Sequence, residues 1–520
     1  MSRQDVGRTA YYPGPRQRKK PIPYLCLPNI NSPSNHLPYL QSMIITAHSS
    51  FPATGIRLFA ISADTKNLDK LPGASSFPGL KTAWEQIPTQ KYRTLFGPDG
   101  AIAYLVKIDA ESSIGGIGSI ARKLAHRERE RLTNELALHW AGGSNDQLDE
   151  FLRGLFMGTY VQGQWQEKPP LHPLTAANST LVLVGKKAKE QIKIAERAHQ
   201  INDTQQRCMD LVNAPANKKR PQDLAAWARE SGRKFGYDVR VFDKTECERH
   251  GFHALLAVNR GSEDPARFII QEYKGAESKE GPIVLVGKGV TFDTGGVSIK
   301  GSTNLHLMKS DMGGAAAVFG TLELAARLEL PVHIIGLVPA TDNSVDALAY
   351  KPSDVIRSHS GKTIEIIDTD AEGRLIMCDA LSYAVTELNP STLIDVATLT
   401  GSAVRTFGYE CAALMSKNEE LVNELRYAGD SSGERCWPLP MWDEYKGGLN
   451  SDIADIKNYS GRPINGAIDA AKFLEFFTQG HQRFAHLDIA GVALKAGPFS
   501  KDRMATGFGI RILTTWLERG

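Results

Sequence analysis

The second half of the chain alternates short apolar runs with helical patterns, and this alternation limits the possible folds more than any other feature of the sequence. The apolar runs cover residues 283–286, 332–338, 363–367 and 392–396, and several of them are apolar on both faces. Strands of this kind are typical of a central sheet that is covered by helices. Because ligands of such sheets bind beyond the carboxyl ends of the strands, we expect a functional site in the loops that follow these runs.

The first half of the chain predicts a smaller α/β domain. Its predicted elements are strands at residues 43–47, 56–61, 103–108 and 180–184, and helices at residues 117–140 and 149–156. A long charged helical pattern then runs from residue 187 to 212 and ends at a Pro-containing turn. A helix that ends in this way is a reasonable connector between domains.

Together these patterns predict an α/β protein in four parts. They are a flexible N-terminal tail (1–40), an N-terminal α/β domain (41–186), a connecting helix (187–212) and a C-terminal domain (213–520). We expect the C-terminal domain to contain a central, mostly parallel mixed sheet covered by helices.

The composition narrows the class of protein. The chain has 520 residues, is 42% hydrophobic and carries a formal net charge of only +3. A charge this small gives no global indication of binding to nucleic acid or to an anionic membrane, and we expect neither partner. No apolar run approaches the roughly 18 residues that a membrane span requires.

The cysteines and the first 40 residues bear on the cellular compartment. The six cysteines are scattered without a CxxC pair, which is typical of a reducing environment, so we predict a cytoplasmic protein. The first 40 residues are rich in Pro, Arg, Lys and Ser, with Asp5 as their only acid. We expect a plain flexible tail there. The alternative is a mitochondrial transit segment, although clear amphipathic periodicity is missing.

Two polar clusters follow predicted strands and carry the chemistry of the chain. They cover residues 287–296 and 368–375. Buried acids repel one another unless cations neutralise them, and two divalent cations cancel four negative charges. Oxygen ligands with one nitrogen suit Zn, Mn, Co or Mg, so the clusters predict a two-metal hydrolase site. The four acids in and between the clusters are Asp293, Asp311, Asp370 and Glu372.

Two other interpretations of the motifs fail on their context. The glycines of the first cluster permit tight turns, but they match neither GxxxxGK[ST] nor GxGxxG, so a phosphate loop is excluded. Residues 429–433 match the GxSxG pattern of serine hydrolases. That motif requires a strand before the serine, whereas here a helical pattern precedes it. We therefore interpret Gly429 as the C-terminal cap of a helix.

Four motifs together resemble the leucine aminopeptidase family of two-metal peptidases. The motifs are residues 286–300, 308–314, 369–375 and 398–401, and their order and spacing match the family from about Gln206 to the C-terminus. The resemblance implies that residues 213–520 form the catalytic domain. It also implies a leucyl aminopeptidase, which releases N-terminal leucine or similar neutral residues from short peptides with a free amine.

The resemblance also implies the metal ligands. Asp293 and Glu372 would bridge two divalent ions, expected to be Zn or Mn, with Co and Mg as alternatives. A lysine ligates only as the neutral amine, so the metal must depress the pKa of Lys288. The implied ligands are Lys288, Asp293, Asp311 and Glu372 for one metal, and Asp293, Asp370 with its carbonyl, and Glu372 for the other.

Two further residues have implied catalytic roles. A metal-bridging hydroxide would attack the scissile carbonyl, while Lys300 stabilises the oxyanion as a fixed positive charge. Arg374 resembles the family arginine that holds a bicarbonate ion, and this bicarbonate would serve as the general base.

The remaining implied residues concern the substrate. Met308, Thr398, Leu399 and Gly401 match positions of the substrate pocket, and a Met-lined pocket is apolar and adaptable. Asp368 stands where the family usually has Asn, and its extra charge would tighten binding of the α-amine or shift the metal preference. Members of the family are typically homohexamers, so we expect the same assembly here.

Two alternatives of other classes stay open. A DNA-binding or scaffold role would need a basic face, and the only basic cluster lies in the tail, at Arg16, Arg18, Lys19 and Lys20. A two-metal hydrolase that acts on a phosphoester would be expected to have an Arg cluster, which the sequence does not offer.

Overall fold

The computed structural model of the chain describes residues 43–53, 55–89, 91–109 and 114–519. The predicted flexible tail and its basic cluster lie outside these residues. The helices are α1 Leu80–Gln86, α2 Ile114–Arg127, α3 Asn145–Met157, α4 Ala188–Asn213, α5 Pro221–Phe235, α6 Lys244–Arg249, α7 His253–Asn259, α8 Gly313–Arg327, α9 Glu372–Tyr383, α10 Gly401–Phe407, α11 Glu419–Ser432, α12 Gly466–Phe476 and α13 Ile510–Leu517.

The strands form two large sheets and two small ones. In chain order they are β1 Ile44–His48, β2 Ile56–Ser62, β3 Tyr92–Phe96, β4 Ile102–Ile108, β5 Glu135–Ala141, β6 Thr180–Val184, β7 Asp238–Phe242, β8 Arg267–Lys274, β9 Ile283–Gly287, β10 Gly289–Asp293, β11 His333–Asn343, β12 Val355–Arg357, β13 Thr363–Glu365, β14 Thr392–Ala397, β15 Ala412–Ser416, β16 Cys436–Leu439, β17 Ile456–Lys457, β18 Phe484–Asp488, β19 Leu494–Lys495 and β20 Met504–Ala505.

The first large sheet has six strands in the order β1-β6-β5-β2-β4-β3, and only the β3–β4 pairing is antiparallel. The helix predicted over residues 117–140 is wrong in its second half. The α2 helix ends at Arg127, and residues 135–141 form the inner strand β5. Leu136, Leu138 and Trp140 pack into one core, whereas Ala137 between them packs into another, as expected for a strand with successive side chains on opposite faces.

The second large sheet has nine strands in the order β16-β15-β18-β14-β9-β11-β8-β7, with β10 beside β11. Five of its pairings are parallel and three are antiparallel. Leu285 packs into one core and its neighbours Val284 and Val286 into the other, so both faces are covered. The prediction of an α/β fold with a mostly parallel mixed sheet is confirmed.

One predicted strand of the central sheet belongs elsewhere. Residues 363–365 form β13 in a small sheet of the order β12-β13-β17. Ile364 is buried there, whereas Thr363 and Glu365 on the other face are half-buried. A strand with one apolar face suits a small peripheral sheet better than the middle of a covered one.

The long helix α4 joins the two large sheets. Ala188, Ala195 and Ala198 in its first half pack into the core of the six-stranded sheet. Residues from Ile201 to Val212 in its second half pack into the core beneath α8. The predicted connecting helix is thus present as α4, while the predicted domain boundaries stay predictions.

Candidate metal centre

The first cluster arises at a break between two strands of the nine-stranded sheet. β9 ends at Gly287 and β10 begins at Gly289, which leaves Lys288 between them. The main chain of Lys288 is held on both sides. Its N–H donates to the Val396 carbonyl at 3.1 Å, and its carbonyl accepts from the Ala315 N–H at 2.9 Å.

A β-bulge positions Asp293 at the end of β10. Val290 lies opposite Thr341, but Asp293 lies opposite Asn343, so β10 contains one residue more than β11 over this stretch. Because side chains alternate between the two faces of a strand, one extra residue changes the side on which the following side chains lie. Asp293 is only 2% exposed.

The Lys288 ammonium lies among carboxylates. Its Nζ is 2.7 Å from Asp311 Oδ2 and 2.9 Å from Glu372 Oε1, and it donates to the Thr398 carbonyl at 3.1 Å. Burial by itself lowers the pKa of Lys288, but the negative charges of Asp311, Glu372 and Asp293 together raise it by more. The pKa of Lys288 therefore lies above its ordinary value. A divalent cation among the same carboxylates would act in the opposite direction and favour the neutral amine.

The glycine after Glu372 makes room for this lysine. A Cβ atom on Gly373 would lie 2.4 Å from Lys288 Cε and 2.7 Å from its Nζ. Glu372 is the first residue of α9, so the helix begins directly against the lysine side chain. The second cluster therefore needs a glycine at this position in order to approach the first.

Lys300 pairs with the other two acids of the centre. Its Nζ is 2.8 Å from Asp293 Oδ2 and also pairs with Asp370 Oδ1. Burial lowers the pKa of Lys300, but Asp293, Glu372 and Asp370 raise it above its ordinary value. The side chain of Lys300 is 24% exposed, so its ammonium borders on solvent.

Three carboxylates converge closely enough to share cations. Asp293, Asp370 and Glu372 each offer one oxygen, and these oxygens lie within 4.8 Å of one another. Burial and the repulsion from Asp293 and Glu372 raise the pKa of Asp370 to about 7. Glu372 Oε2 is buried and has no hydrogen-bond donor. Clustered acceptors of this kind fit divalent cations, because a cation neutralises the charge and satisfies the oxygens.

Asp311 lies beside this group rather than within it. It follows the 3₁₀ turn Leu305–Ser310 and lies two residues before α8. Its Oδ1 accepts from Thr398 Oγ1 at 2.7 Å, while its Oδ2 faces Lys288. Burial raises the pKa of Asp311 well above its ordinary value. The structure thus brings all five predicted ligands together, with Lys288 between Asp311 and Glu372.

Arg374 is buried on α9, two residues beyond Glu372. Its NH1 donates to the Asn458 carbonyl at 3.0 Å, but its Nε is buried without a hydrogen-bond acceptor. Burial lowers the pKa of Arg374, although Glu372 and Asp469 oppose this effect. A buried guanidinium with an unused donor fits a small anion such as bicarbonate.

The predicted substrate residues occupy two segments near Asp311. Met308 is half-buried in the 3₁₀ turn, and Thr398 contacts Asp311 and Lys288 as described. The Leu399 N–H donates to Asp488 Oδ1 at 3.1 Å. Gly401 is exposed at the start of α10, where Thr400 caps the helix. Of these four residues, Thr398 is the one whose side chain donates a hydrogen bond to a predicted ligand, Asp311.

Asp368 is half-buried, and its side chain accepts a hydrogen bond from the main chain of the second cluster. Its Oδ1 accepts from the Asp370 N–H at 2.9 Å. Its main chain is held by Asn458, whose Oδ1 accepts from the Asp368 N–H at 3.3 Å and whose Nδ2 donates to the Asp368 carbonyl at 2.6 Å. An Asp at this position therefore keeps the hydrogen bond to the Asp370 main chain that an Asn oxygen could also accept.

Several polar residues around the centre were not predicted from the sequence. Asn343 and Tyr350 both donate to the Thr369 carbonyl, at 3.0 Å and 2.8 Å. Asn343 ends β11, so its place at the carboxyl end of a buried strand was an available signal. Tyr350 and Asn458 lie in or near irregular segments, and only the folded chain brings them to the site.

The GxSxG segment lies at a helix end, but the prediction that Gly429 is the cap is wrong, because Gly429 lies inside α11. Ser431 belongs to the last turn of α11, and Gly433 caps this helix with a φ of 77°.

No helix among the residues described by the structure is long and apolar enough to cross a membrane.

Comparison with known proteins assigns the family. The catalytic-domain model of the cytosol aminopeptidase family matches residues 206–514. A probable cytosol aminopeptidase of Geobacter sp. (strain M21) is 47% identical over 368 residues, which are 70% of this chain and 74% of that protein. A probable cytosol aminopeptidase of Chlorobaculum tepidum is 50% identical over 318 residues, which are 61% of this chain and 63% of that protein.

A solved structure extends the similarity to most of the chain. The bottromycin maturation enzyme BotP in complex with Mn has a TM-score of 0.78 and 28% sequence identity, and the match covers 90% of this chain and 99% of that chain. The fold and the acidic centre are those of a metal-dependent hydrolase. The chain belongs to the cytosol aminopeptidase family, which confirms the resemblance to leucine aminopeptidases. Membership of this family supports a metal-dependent aminopeptidase activity.

Proposed function

We propose that this protein is a two-metal leucyl aminopeptidase. It releases N-terminal leucine or similar neutral residues from short peptides. The observation that carries the proposal is the buried centre in which oxygens of Asp293, Asp370 and Glu372 lie within 4.8 Å of one another beside two lysines. Family membership supports the choice of a peptide with a free N-terminus as substrate.

The metal ions of the proposed enzyme are Zn or Mn, with Co and Mg as alternatives. When bound, two such ions would supply a water of lowered pKa as the nucleophile and would polarise the scissile carbonyl. The related BotP structure contains Mn, which supports a divalent ion of this kind. The residues that would hold them are Lys288, Asp293, Asp311 and Glu372 at one site, and Asp293, Asp370 and Glu372 at the other.

Lys300 and Arg374 are the proposed catalytic residues. The Lys300 ammonium lies 2.8 Å from Asp293, and the Lys300 side chain stays partly exposed. The ammonium can therefore face a substrate carbonyl. A fixed positive charge there stabilises the negative charge that develops on the carbonyl oxygen. Arg374 would hold bicarbonate through its unused Nε donor, and the bicarbonate would accept the proton of the nucleophile.

The preference for a neutral first residue rests on the segments around Asp311. Met308 offers a flexible apolar side chain, while Thr398 and Leu399 fix the loop that leads to Gly401. A homohexamer and a cytosolic location complete the proposal. The names of the relatives support the location.

The proposal is tested by hydrolysis of leucine p-nitroanilide after removal of metal with a chelator. Zn, Mn, Co and Mg are added back singly, and the N-acetylated substrate serves as the matched control. We expect activity to return with metal and to disappear on acetylation, because the free α-amine is part of what the site recognises. Metal binding without hydrolysis of any free-amine substrate would contradict the proposed function.

A further inference from the structure

Asn343 connects the two clusters through one side chain. It is the last residue of β11 and is fully buried. Its Nδ2 donates to Asp293 Oδ1 at 2.8 Å and to the Thr369 carbonyl at 3.0 Å. An amide group has two hydrogens, so both are used, one toward each cluster.

The main chain of Asn343 holds the turn that follows Asp293. Its carbonyl accepts from the Thr294 N–H at 3.0 Å and from Thr294 Oγ1 at 2.7 Å. Its Oδ1 is buried without a donor. Rotating the amide by half a turn would place this oxygen against the Asp293 carboxylate and the Thr369 carbonyl. The repulsion between these acceptors fixes the orientation in which Nδ2 faces them.

The hydrogen bonds leave the two oxygens of Asp293 unequal. Oδ1 accepts from the Gly295 N–H at 2.9 Å as well as from Asn343. Oδ2 faces Lys300 at 2.8 Å, on the side of Asp370. Since Oδ1 already accepts two hydrogen bonds, Oδ2 is the oxygen left to contact a cation.

We propose that Asn343 is a positioning residue of the metal centre. It turns Oδ2 of Asp293 toward the cations, and it sets the distance between the first cluster and the Thr369–Asp370 segment. This inference rests on the proposed two-metal function, and it adds a residue that neither the motifs nor the predicted ligand set contains. Hydrogen bonds that orient a ligand in this way typically change metal affinity 10–100-fold when they are removed.

The test compares metal binding by wild type, Asn343→Leu and Asn259→Ala. Leu removes both donors while keeping the number and branching of the side-chain heavy atoms. Asn259 is an equally buried asparagine whose Nδ2 donates to the Asp264 carbonyl and to Thr341 Oγ1, without contacting a predicted ligand. Isothermal titration calorimetry with Mn²⁺ gives stoichiometry and affinity, and the visible absorption of bound Co²⁺ reports the ligand geometry. Circular dichroism of the chelator-treated proteins establishes that each variant is folded.

We expect Asn343→Leu to bind Mn²⁺ about 10–100-fold more weakly at one or both sites and to change the Co²⁺ spectrum. Asn259→Ala should keep the wild-type values. A folded Asn343→Leu protein with two sites of wild-type affinity and spectrum would overturn the inference. If Leu prevents folding, Asn343→Ala removes the same donors without bulk, and wild-type metal binding by that variant overturns the inference equally.

The wild-type protein separates this inference from the proposed function. If wild type binds two metal ions but hydrolyses no peptide, the aminopeptidase proposal is contradicted. The comparison of metal affinities still tests whether Asn343 positions the metal centre. Wild type that binds no divalent ion overturns both.

Discussion

At the scale of single residues, the centre contains two lysines with different surroundings. Lys288 is 3% exposed between Asp311 and Glu372, whereas Lys300 is 24% exposed beside Asp293 and Asp370. The buried lysine suits a ligand, and the exposed one suits contact with a substrate. This difference in exposure leads to different expectations for their loss.

Lys300→Ala is expected to lower kcat/KM by about 100-fold or more, as the loss of an oxyanion-stabilising group typically does. Metal content should stay near two ions per chain, because the proposed ligands are all retained. Turnover of leucine p-nitroanilide and metal analysis of the same samples check this expectation. Lys66→Ala changes an exposed lysine after β2 of the six-stranded sheet and serves as control. Unchanged turnover with normal metal content in Lys300→Ala would remove Lys300 from its proposed role.

Gly373→Ala is expected to weaken metal binding by at least about 10-fold, because the new methyl group would overlap the Lys288 side chain. Gly301→Ala is the matched control, since a Cβ at Gly301 meets no atom within 4 Å. Calorimetric titration with Mn²⁺ distinguishes the two variants. Equal affinities would show that Lys288 moves aside without cost and is not held as a ligand.

The motifs predicted the residues of the centre better than their supporting contacts. The acids and lysines are adjacent in short segments, so the sequence alone indicated them. Asn343 and Asp293 meet because the bulge in β10 brings Asp293 opposite Asn343. No spacing within the sequence reveals a register between strands that lie some 50 residues apart, so this contact required the folded chain.

At the scale of elements, the end of α4 carries a half-buried acid, Asp210, outside the metal centre. Asp210 accepts from the Tyr160 hydroxyl at 2.9 Å and from Gln164, both in the segment after α3. Tyr160 in turn accepts from Asn213 Nδ2 at 2.9 Å. Burial raises the pKa of Asp210 from 3.8 to about 6, although these hydrogen bonds lower it. We therefore expect the contact between α4 and the segment after α3 to depend on pH.

The folded protein holds the proton of Asp210 more tightly than the unfolded chain does. Its contribution to stability is therefore complete below about pH 4 and is lost as the pH rises through about 6. Two pKa units correspond to about 3 kcal/mol in the free energy of unfolding. We expect the stability of wild type relative to Asp210→Asn to fall by about this amount between pH 4 and pH 7. Urea unfolding at several pH values measures the difference, and the exposed Asp69→Asn variant is the control. A constant difference would contradict the raised pKa.

The patterns predicted the elements well where a strand or helix is long and regular. The α4 helix and the strands β9 and β14 were expected within one residue of their actual bounds, whereas β11 extends beyond the predicted end at residue 338 to Asn343. Strand β5 was missed because its Leu and Ala residues also suit a helix that directly continues α2. β13 was placed in the wrong sheet, because an apolar run indicates a strand without indicating which sheet it joins.

At the scale of the whole molecule, α4 couples the six-stranded sheet to the metal centre. Its second half contacts α8, where Glu323 accepts from Thr204 Oγ1 at 2.7 Å and pairs with Arg207 at 2.7 Å. Asp311, a proposed ligand, lies two residues before the start of α8. Unfolding of either sheet would therefore expose apolar surface of the same helix.

We expect bound metal to protect both sheets against unfolding together. At 100 times its dissociation constant, a ligand adds about 2.7 kcal/mol to the stability of the unit that binds it. Hydrogen exchange of peptides from β5 and β9, with and without Mn²⁺, measures this gain in each sheet. Slower exchange in β9 alone would show that α4 does not couple the sheets, whereas similar slowing in both would support the coupling.

The position of α4 also determines how this protein can be cut into recombinant fragments. The segment that matches the family begins at residue 206, well inside a helix that begins at Ala188. A fragment cloned from residue 206 would lose Ile201 from the core, and Arg327 would lose its partners Asp203 and Thr204. The start of the family match at residue 206 is therefore a poor place to begin a fragment, because the cut removes residues that pack into the core of the remaining chain.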